Sequence, residues 1–415
     1  FPYTTLFRSQ VGREGESKYG ESLAPEESDN QLQGYNFRFC ATNVPENRAK
    51  VDPPEGYNRE DFLDLLPILE SGEIEQVFDY PRNCIFKAQT PALPNSKYDI
   101  NDVSRGAVRL SMPGYNLEWP EGDAETRQKI FDRHLYHSVG ILYFLQNDEA
   151  VPQKFRDQAN QWGWCKDEFV ENNHLPTQLY VREARRMQGE HIYIQQDTEH
   201  APGDARAKLH TDAIAMGDYG NNCHGTAHEG PVIGGHHTGE FYHATPPYQI
   251  PYGVILPKEV KNLLVPGAVS SSHVGFCALR LEPIWSSLGQ AAGVAAGLAC
   301  DQNIPVQKVA VKTIQHILHE NSSATVYVSD VLPGHEHYQA VQWWGTLGGF
   351  HGLHQYDPDK VRGENLHGQY FEAAPNHQAD LDFSLSLQLR EKWRNLLSTQ
   401  DIHLDDISAV TRGDF

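Results

Sequence analysis

The chain of 415 residues has only three methionines and six cysteines (Cys40, Cys84, Cys165, Cys223, Cys277 and Cys300), and no two of the cysteines form a CxxC pair. A zinc ribbon or thioredoxin-type motif is thereby excluded, and a disulfide framework is not expected in so long a chain. No apolar run approaches the roughly 18–20 residues that a membrane helix needs, so no membrane span is expected. Cationic residues are in deficit: 34 Lys and Arg stand against 55 Asp and Glu, for a formal net charge of −21. A chain this acidic repels phosphate backbones, so nucleic acid is not expected as a partner. No GxSxG nucleophile elbow occurs, which leaves serine hydrolysis without its usual sequence support. There is no basic-then-apolar leader, and with Phe1 first the sequence reads as an internal piece of a longer one. Its opening, FPYTTLFRS, resembles translated sequencing adapter, and residues 1–10 are expected to be artefactual or disordered.

Against these absences stand 39% hydrophobic residues, seven Trp, nineteen Tyr and seventeen Phe, a globular composition with length for two to three domains. Apolar spacing predicts a helix over 58–74, with Phe62, Leu65, Leu66 and Leu69 on one face. A long amphipathic helix is predicted over 127–148 and a further helix after Val151. The stretch 179–194 reads as a basic turn ending in a strand, 217–253 as Gly-, His- and Tyr-rich loops, and NLLVPG (262–267) as a buried strand closing on a glycine turn. EPIWSSLGQAAGVAAGLACDQN (282–303) is a helix with Pro283 in its first turn, where proline is tolerated. Along it Gly289, Gly293 and Gly297 recur every four residues, a groove of small side chains on one face. Such a face admits a backbone or a flat ring, or simply packs on a sheet.

Two clusters of polar residues draw notice. NNCHGTAHEGPVIGGHHTGEFYHATPPY (221–248) holds His224, His228, His236, His237 and His243. His224 and His228 are four apart, but the glycines around them argue against the helix a metal pair would need, and no metal site is expected. Arg182, Arg185 and Arg186 flank Glu183. They are either a solvated turn of weak ion pairs or an anchor for a carboxylate or sugar acid, which guanidinium forks bind bidentately.

The segment 248–300, together with VGREGESKYGESLA (11–24) and VREARRMQGE (181–190), resembles the FAD-dependent oxidoreductase family with a glutathione-reductase-like FAD domain. The resemblance runs through about 11–305. It implies a mixed α/β fold: the remainder of a two-domain FAD fold (11–30 and 248–305) with an inserted substrate domain (31–247) and a small, mostly helical C-terminal module (320–415). It implies FAD as cofactor, an oxidoreductase activity in which hydride passes from substrate to flavin, a small-molecule or saccharide substrate and an unidentified electron acceptor. By position it points to Gly267, Ser272, Arg280, Gly289, Gln290 and Ala291 as cofactor-binding residues, and to His273, His228, Arg182 and Arg186 as catalytic ones. The departure is that no GxGxxG fingerprint occurs anywhere in the sequence. An N-terminally truncated piece, inactive on its own, is therefore expected. The other reading is a non-catalytic carbohydrate-binding or envelope module on a degenerate flavin fold. Residues 326–352 and the closing AVTRGDF (409–415) loosely resemble an S-layer-homology module, which would imply an exported, envelope-associated protein.

Overall fold

The computed structural model describes residues 31–80, 82–104, 106–355, 377–403 and 410–415. The expected artefact (1–10) and the first expected FAD-domain piece (11–30) lie outside them. The fold is mixed α/β.

Six strands form the main sheet: β1 (Phe39–Thr42), β2 (Arg48–Ala49), β3 (Gln76–Asp79), β4 (Cys84–Ala88), β5 (Lys97–Asn101) and β6 (Gly163–Cys165), in the order β2-β6-β1-β5-β4-β3. All neighbours are antiparallel except β3 and β4, where Phe78 pairs with Phe86. The helix predicted over 58–74 is a 3-10 turn at Arg59–Phe62 followed by α1 (Leu65–Ser71), which ends at Gly72 with φ 83°. α2 (Ala124–Asn147) starts where the Asp123 side chain accepts from the Thr126 amide at 2.9 Å, and α3 (Gln153–Ala159) follows. Ile141, Leu142, Phe144 and Leu145 of α2 join Phe37, Phe39, Phe62 and Phe86 in the first hydrophobic cluster.

The stretch read as loops contains short antiparallel pairs: β7 (Ala213–Gly217) with β12 (Tyr248–Pro251), β8 (Asn221–Cys223) with β11 (Phe241–His243), and β9 (Ala227–Glu229) with β10 (His236–Thr238). The strand expected at the end of 179–194 is absent; that segment makes only isolated bridges, Tyr180 to Asn36, Gly189 to Pro257 and Tyr193 to Ser271. The buried strand expected over 262–267 is also not formed. Asn262 is left-handed (φ 57°), Pro266 has no N–H, and Val265 alone bonds back, to the Ile255 carbonyl. No neighbouring strand completes a ladder there among the described residues.

Beyond it lie α4 (His273–Leu279), α5 (Glu282–Gln302) and α6 (Val311–Glu320). α5 turns Ile284, Leu288, Ala291, Ala292, Ala295 and Ala299 into the second cluster, against β7 and β12. A third cluster joins α7 (Tyr338–Thr346) and α8 (Leu387–Ser398) through Trp344, Trp393 and Phe415. No described helix is long and apolar enough to cross a membrane.

Candidate active site

Arg182 and Arg280 meet in a cleft of about 620 Å³ whose walls include Trp119, Tyr180 and Trp285 and whose lining takes in Glu282, the first residue of α5. Both guanidinium groups are almost wholly buried. Arg182 donates to the Gly34 carbonyl at 2.6 Å and to Asn101 Oδ1 at 3.3 Å. Arg280 caps the C-terminus of α4 and donates to the Asn222 carbonyl at 3.1 Å. Neither Nε has a partner among the described residues. Burial lowers the Arg182 pKa to about 10, still a cation at neutral pH. Two guanidinium cations lining one cleft suit an anionic or oxygen-rich ligand. The guanidinium groups of Arg38 and Arg182 lie 5.3 and 4.9 Å from the centre of the Tyr180 ring.

The residue next to Arg182 takes the other side of the chain. Glu183 is fully buried, and its carboxylate accepts from His273 Nδ1 at 2.8 Å and from Arg186. Burial opposes both charges of the pair, but their mutual attraction prevails: Glu183 is lowered to about 2 and His273 raised to about 9. Arg186 also donates to the Ser271 carbonyl at 3.0 Å. His273 Nε2 lies 3.6 Å from Cys223 Sγ, and Cys277 Sγ accepts from Gln33 Nε2 at 3.3 Å. Burial pushes the Cys223 thiol up. Cys277 is lowered: burial opposes this, but its bond with Cys223 and the His273 charge outweigh it.

Of the residues expected to be catalytic, then, Arg182 lines the cleft, while Arg186 and His273 sit behind it around Glu183. His228 belongs to neither group. It is on β9, with Nδ1 at 3.3 Å from His237 Nδ1 and Nε2 at 3.0 Å from the Gly230 carbonyl.

Among the residues expected at the cofactor, Arg280 is in the cleft wall. Ser272 is buried as the N-cap of α4, its Oγ accepting from the Gly275 amide at 3.0 Å. Ala291 packs into the second cluster, and Gln290 is exposed and accepts from Ser323 Oγ at 3.0 Å. Three consecutive residues of a helix point in three directions about 100° apart, so Gly289, Gln290 and Ala291 cannot share one neighbour. Gly289 continues a stripe with Trp285, Gly293 and Gly297, each four residues on. A Cβ on any of the three glycines would meet nothing within 4 Å, and the same is true at Gly267. Glycine inside a helix costs about 1 kcal/mol relative to alanine. No described residue uses the room these glycines leave.

Asp102 and Arg109, which join Glu240 in a buried network beside the histidine loops, were not visible in the sequence, nor was the convergence of Cys223 with Cys277. Both depend on pairings far apart in sequence. The only local signal was the four-residue spacing of His273 and Cys277, which places them on one face of α4.

Over residues 7–318 the chain matches the family described as FAD dependent oxidoreductase. That is well over half of its length, and the chain belongs to this family; it is an oxidoreductase whose cofactor is FAD. Comparison with curated proteins and with solved structures finds no match. The family match ends before the C-terminal helices, and no comparison supports the S-layer-like reading of 326–415.

Two features fit the ring end of FAD: the Arg280 guanidinium just before α5, and the open glycine stripe that runs on from Trp285. The glycine fingerprint that would hold the pyrophosphate is absent from the sequence.

Proposed function

We propose that the chain oxidises a small, oxygen-rich substrate, a sugar or sugar acid, held in the cleft between Arg182, Arg280 and the aromatic side chains of Trp119, Tyr180 and Trp285. The carrying observation is the pair of buried guanidinium groups that line one aromatic-walled cleft. Aromatic faces cover the apolar side of a sugar ring, and guanidinium donors take its oxygens or carboxylate. Gly289, on the stripe leading from the cleft, and Arg280 are the residues that would hold the flavin. When bound, the flavin of FAD accepts the hydride from the substrate carbon.

The chain's own contribution is binding and orientation. Arg182 draws the ligand's negative pole into the cleft, Tyr180 and Trp285 confine its ring, and the N-terminus of α5 adds a partial positive charge. Glu183, Arg186 and His273, behind the cleft, brace the backbone that carries Arg182. His228 is outside this reading.

Trp119 and Trp285 line the cleft, so a ligand there changes tryptophan fluorescence without any need for flavin. Titration of the full chain with glucuronate is expected to give saturable quenching, weaker with glucose. Arg182→Gln should reduce glucuronate affinity roughly 10–100-fold, the usual worth of a charge-assisted bond. Equal affinity in the wild type and Arg182→Gln would defeat the assignment.

A further inference from the structure

Cys223, at the end of β8, and His273 and Cys277, one turn apart on α4, bring two thiol sulfurs and an imidazole nitrogen within 4.8 Å of one another in the interior. From this convergence we infer that the chain holds a divalent zinc ion, bound by Cys223 Sγ, Cys277 Sγ and His273 Nε2, with one position left for water. The inference does not depend on the flavin or substrate reading.

Four observations carry it. The first is distance. Zn–S bonds of about 2.3 Å and Zn–N bonds of about 2.0–2.1 Å at a tetrahedral angle require S and N about 3.6 Å apart. Cys223 Sγ and His273 Nε2 are 3.6 Å apart. The second is orientation of the histidine. Its Nδ1 is held by the buried Glu183 carboxylate at 2.8 Å, which turns Nε2 toward the sulfurs. A carboxylate behind a histidine ligand is the usual outer support of a zinc site, since it fixes the tautomer and raises ligand basicity.

The third is support for a sulfur. Gln33 Nε2 donates to Cys277 Sγ, and the same amide's Oε1 accepts from the His224 backbone at 3.3 Å, so the donor is aimed by a second contact. The fourth is charge. Two thiolates and a neutral imidazole around Zn²⁺ sum to zero, which suits a site where Cys223 and Cys277 are both fully buried. Binding forms two Zn–S bonds and one Zn–N bond and releases the thiol protons and any proton on Nε2 to solvent; nothing is oxidised. A second group, the half-buried His191 with the buried Asp197 and His210, also has donor atoms this close. There, however, Lys208 Nζ already sits 2.6 Å from Asp197 Oδ1 and supplies the positive charge.

The ion would brace the cleft from behind. Arg280 is three residues beyond Cys277 and bonds the carbonyl of Asn222, the neighbour of Cys223. Glu183 adjoins Arg182.

The test uses the full chain, reduced and stripped with a chelator, then titrated anaerobically with Co²⁺, whose thiolate complexes absorb where zinc is silent. One Co²⁺ per chain is expected, with a thiolate-to-cobalt charge-transfer band and the intense visible bands of a four-coordinate ion. Cys223→Ser and Cys277→Ser should each weaken the charge-transfer band and the affinity, and Glu183→Gln should cost roughly 10–100-fold in affinity. Cys40→Ser should change neither. The wild-type titration decides the matter even if a cysteine variant fails to fold. A missing charge-transfer band, a band that survives in the Cys223→Ser/Cys277→Ser double variant, or a Cys223–Cys277 disulfide in the freshly purified, unreduced chain would overturn the inference.

Discussion

Asp102 is a carboxylate with no exposure, and each of its oxygens is used. Oδ1 accepts from the amides of Leu110 and Ser111 at 2.8 and 3.0 Å; Oδ2 accepts from Arg109 Nε and Nη2 at 2.9 and 2.6 Å and from Ser111 Oγ at 2.7 Å. Arg109 also reaches Glu240 Oε2 at 2.9 Å, tying the first cluster to the hairpins that carry the histidines. Burial alone would raise the Asp102 pKa, but the Arg109 guanidinium holds it well below the usual carboxylate range. A carboxylate depressed in the folded state stabilises above its unfolded pKa of about 4, and that stability drains as pH falls from there toward the folded value. Urea unfolding at a series of pH values should therefore show a loss of stability below about pH 4 in the wild type. Asp102→Asn should be about 3–5 kcal/mol less stable at neutral pH, because Arg109 loses its buried partner, with a flatter acid limb. An unchanged acid limb in that variant would place the dependence elsewhere.

α5 shows how an element can be built for two neighbours. Its alanines and leucine serve the second cluster, while Gly289, Gly293 and Gly297 face room that no described residue enters. On helix propensity alone Gly293→Ala should stabilise the FAD-free chain by up to about 1 kcal/mol, since the new methyl meets nothing. If the flavin lies along the stripe, the same methyl should weaken FAD binding. Thermal unfolding with and without FAD separates the two effects. A destabilised FAD-free variant would mean that the stripe already packs against the chain. The helices α1, α2 and α5 were legible because a 3.6-residue apolar period is a local property, and α5 also declared its start with Pro283. The strand expected over 262–267 shows the limit: an apolar run such as Leu263, Leu264 and Val265 becomes a strand only where another strand pairs with it. The three nested strand pairs between 213 and 251 were illegible for the converse reason, being pinned by cross-strand partners within a polar, glycine-rich stretch. At the site, Arg182 and Arg280 could be named from sequence, but their meeting in one cleft could not. Nor could sequence show that His273 turns away from that cleft toward Glu183 and Cys223.

At the scale of the molecule, three apolar clusters follow one another along the chain, and the cleft with its glycine stripe runs from the first to the second. The third cluster, with its Trp344, Trp393 and Phe415 rings, lies outside the family match. The central claim is that FAD binds through its ring end, against the start of α5 and the stripe beyond Trp285. Without a GxGxxG fingerprint in the sequence the pyrophosphate finds no helix N-terminus of the usual kind, so affinity for FAD should be weak and should rest on the ring contacts. The direct measurement is titration of FAD into the full chain, followed by flavin absorbance and fluorescence, for the wild type, Gly289→Val and Trp393→Phe. The account predicts weak, saturable binding in the wild type and Trp393→Phe, and none in Gly289→Val with its fold intact by circular dichroism. Equal FAD binding by Gly289→Val and the wild type, or one tightly held FAD per chain that survives dialysis, would contradict it.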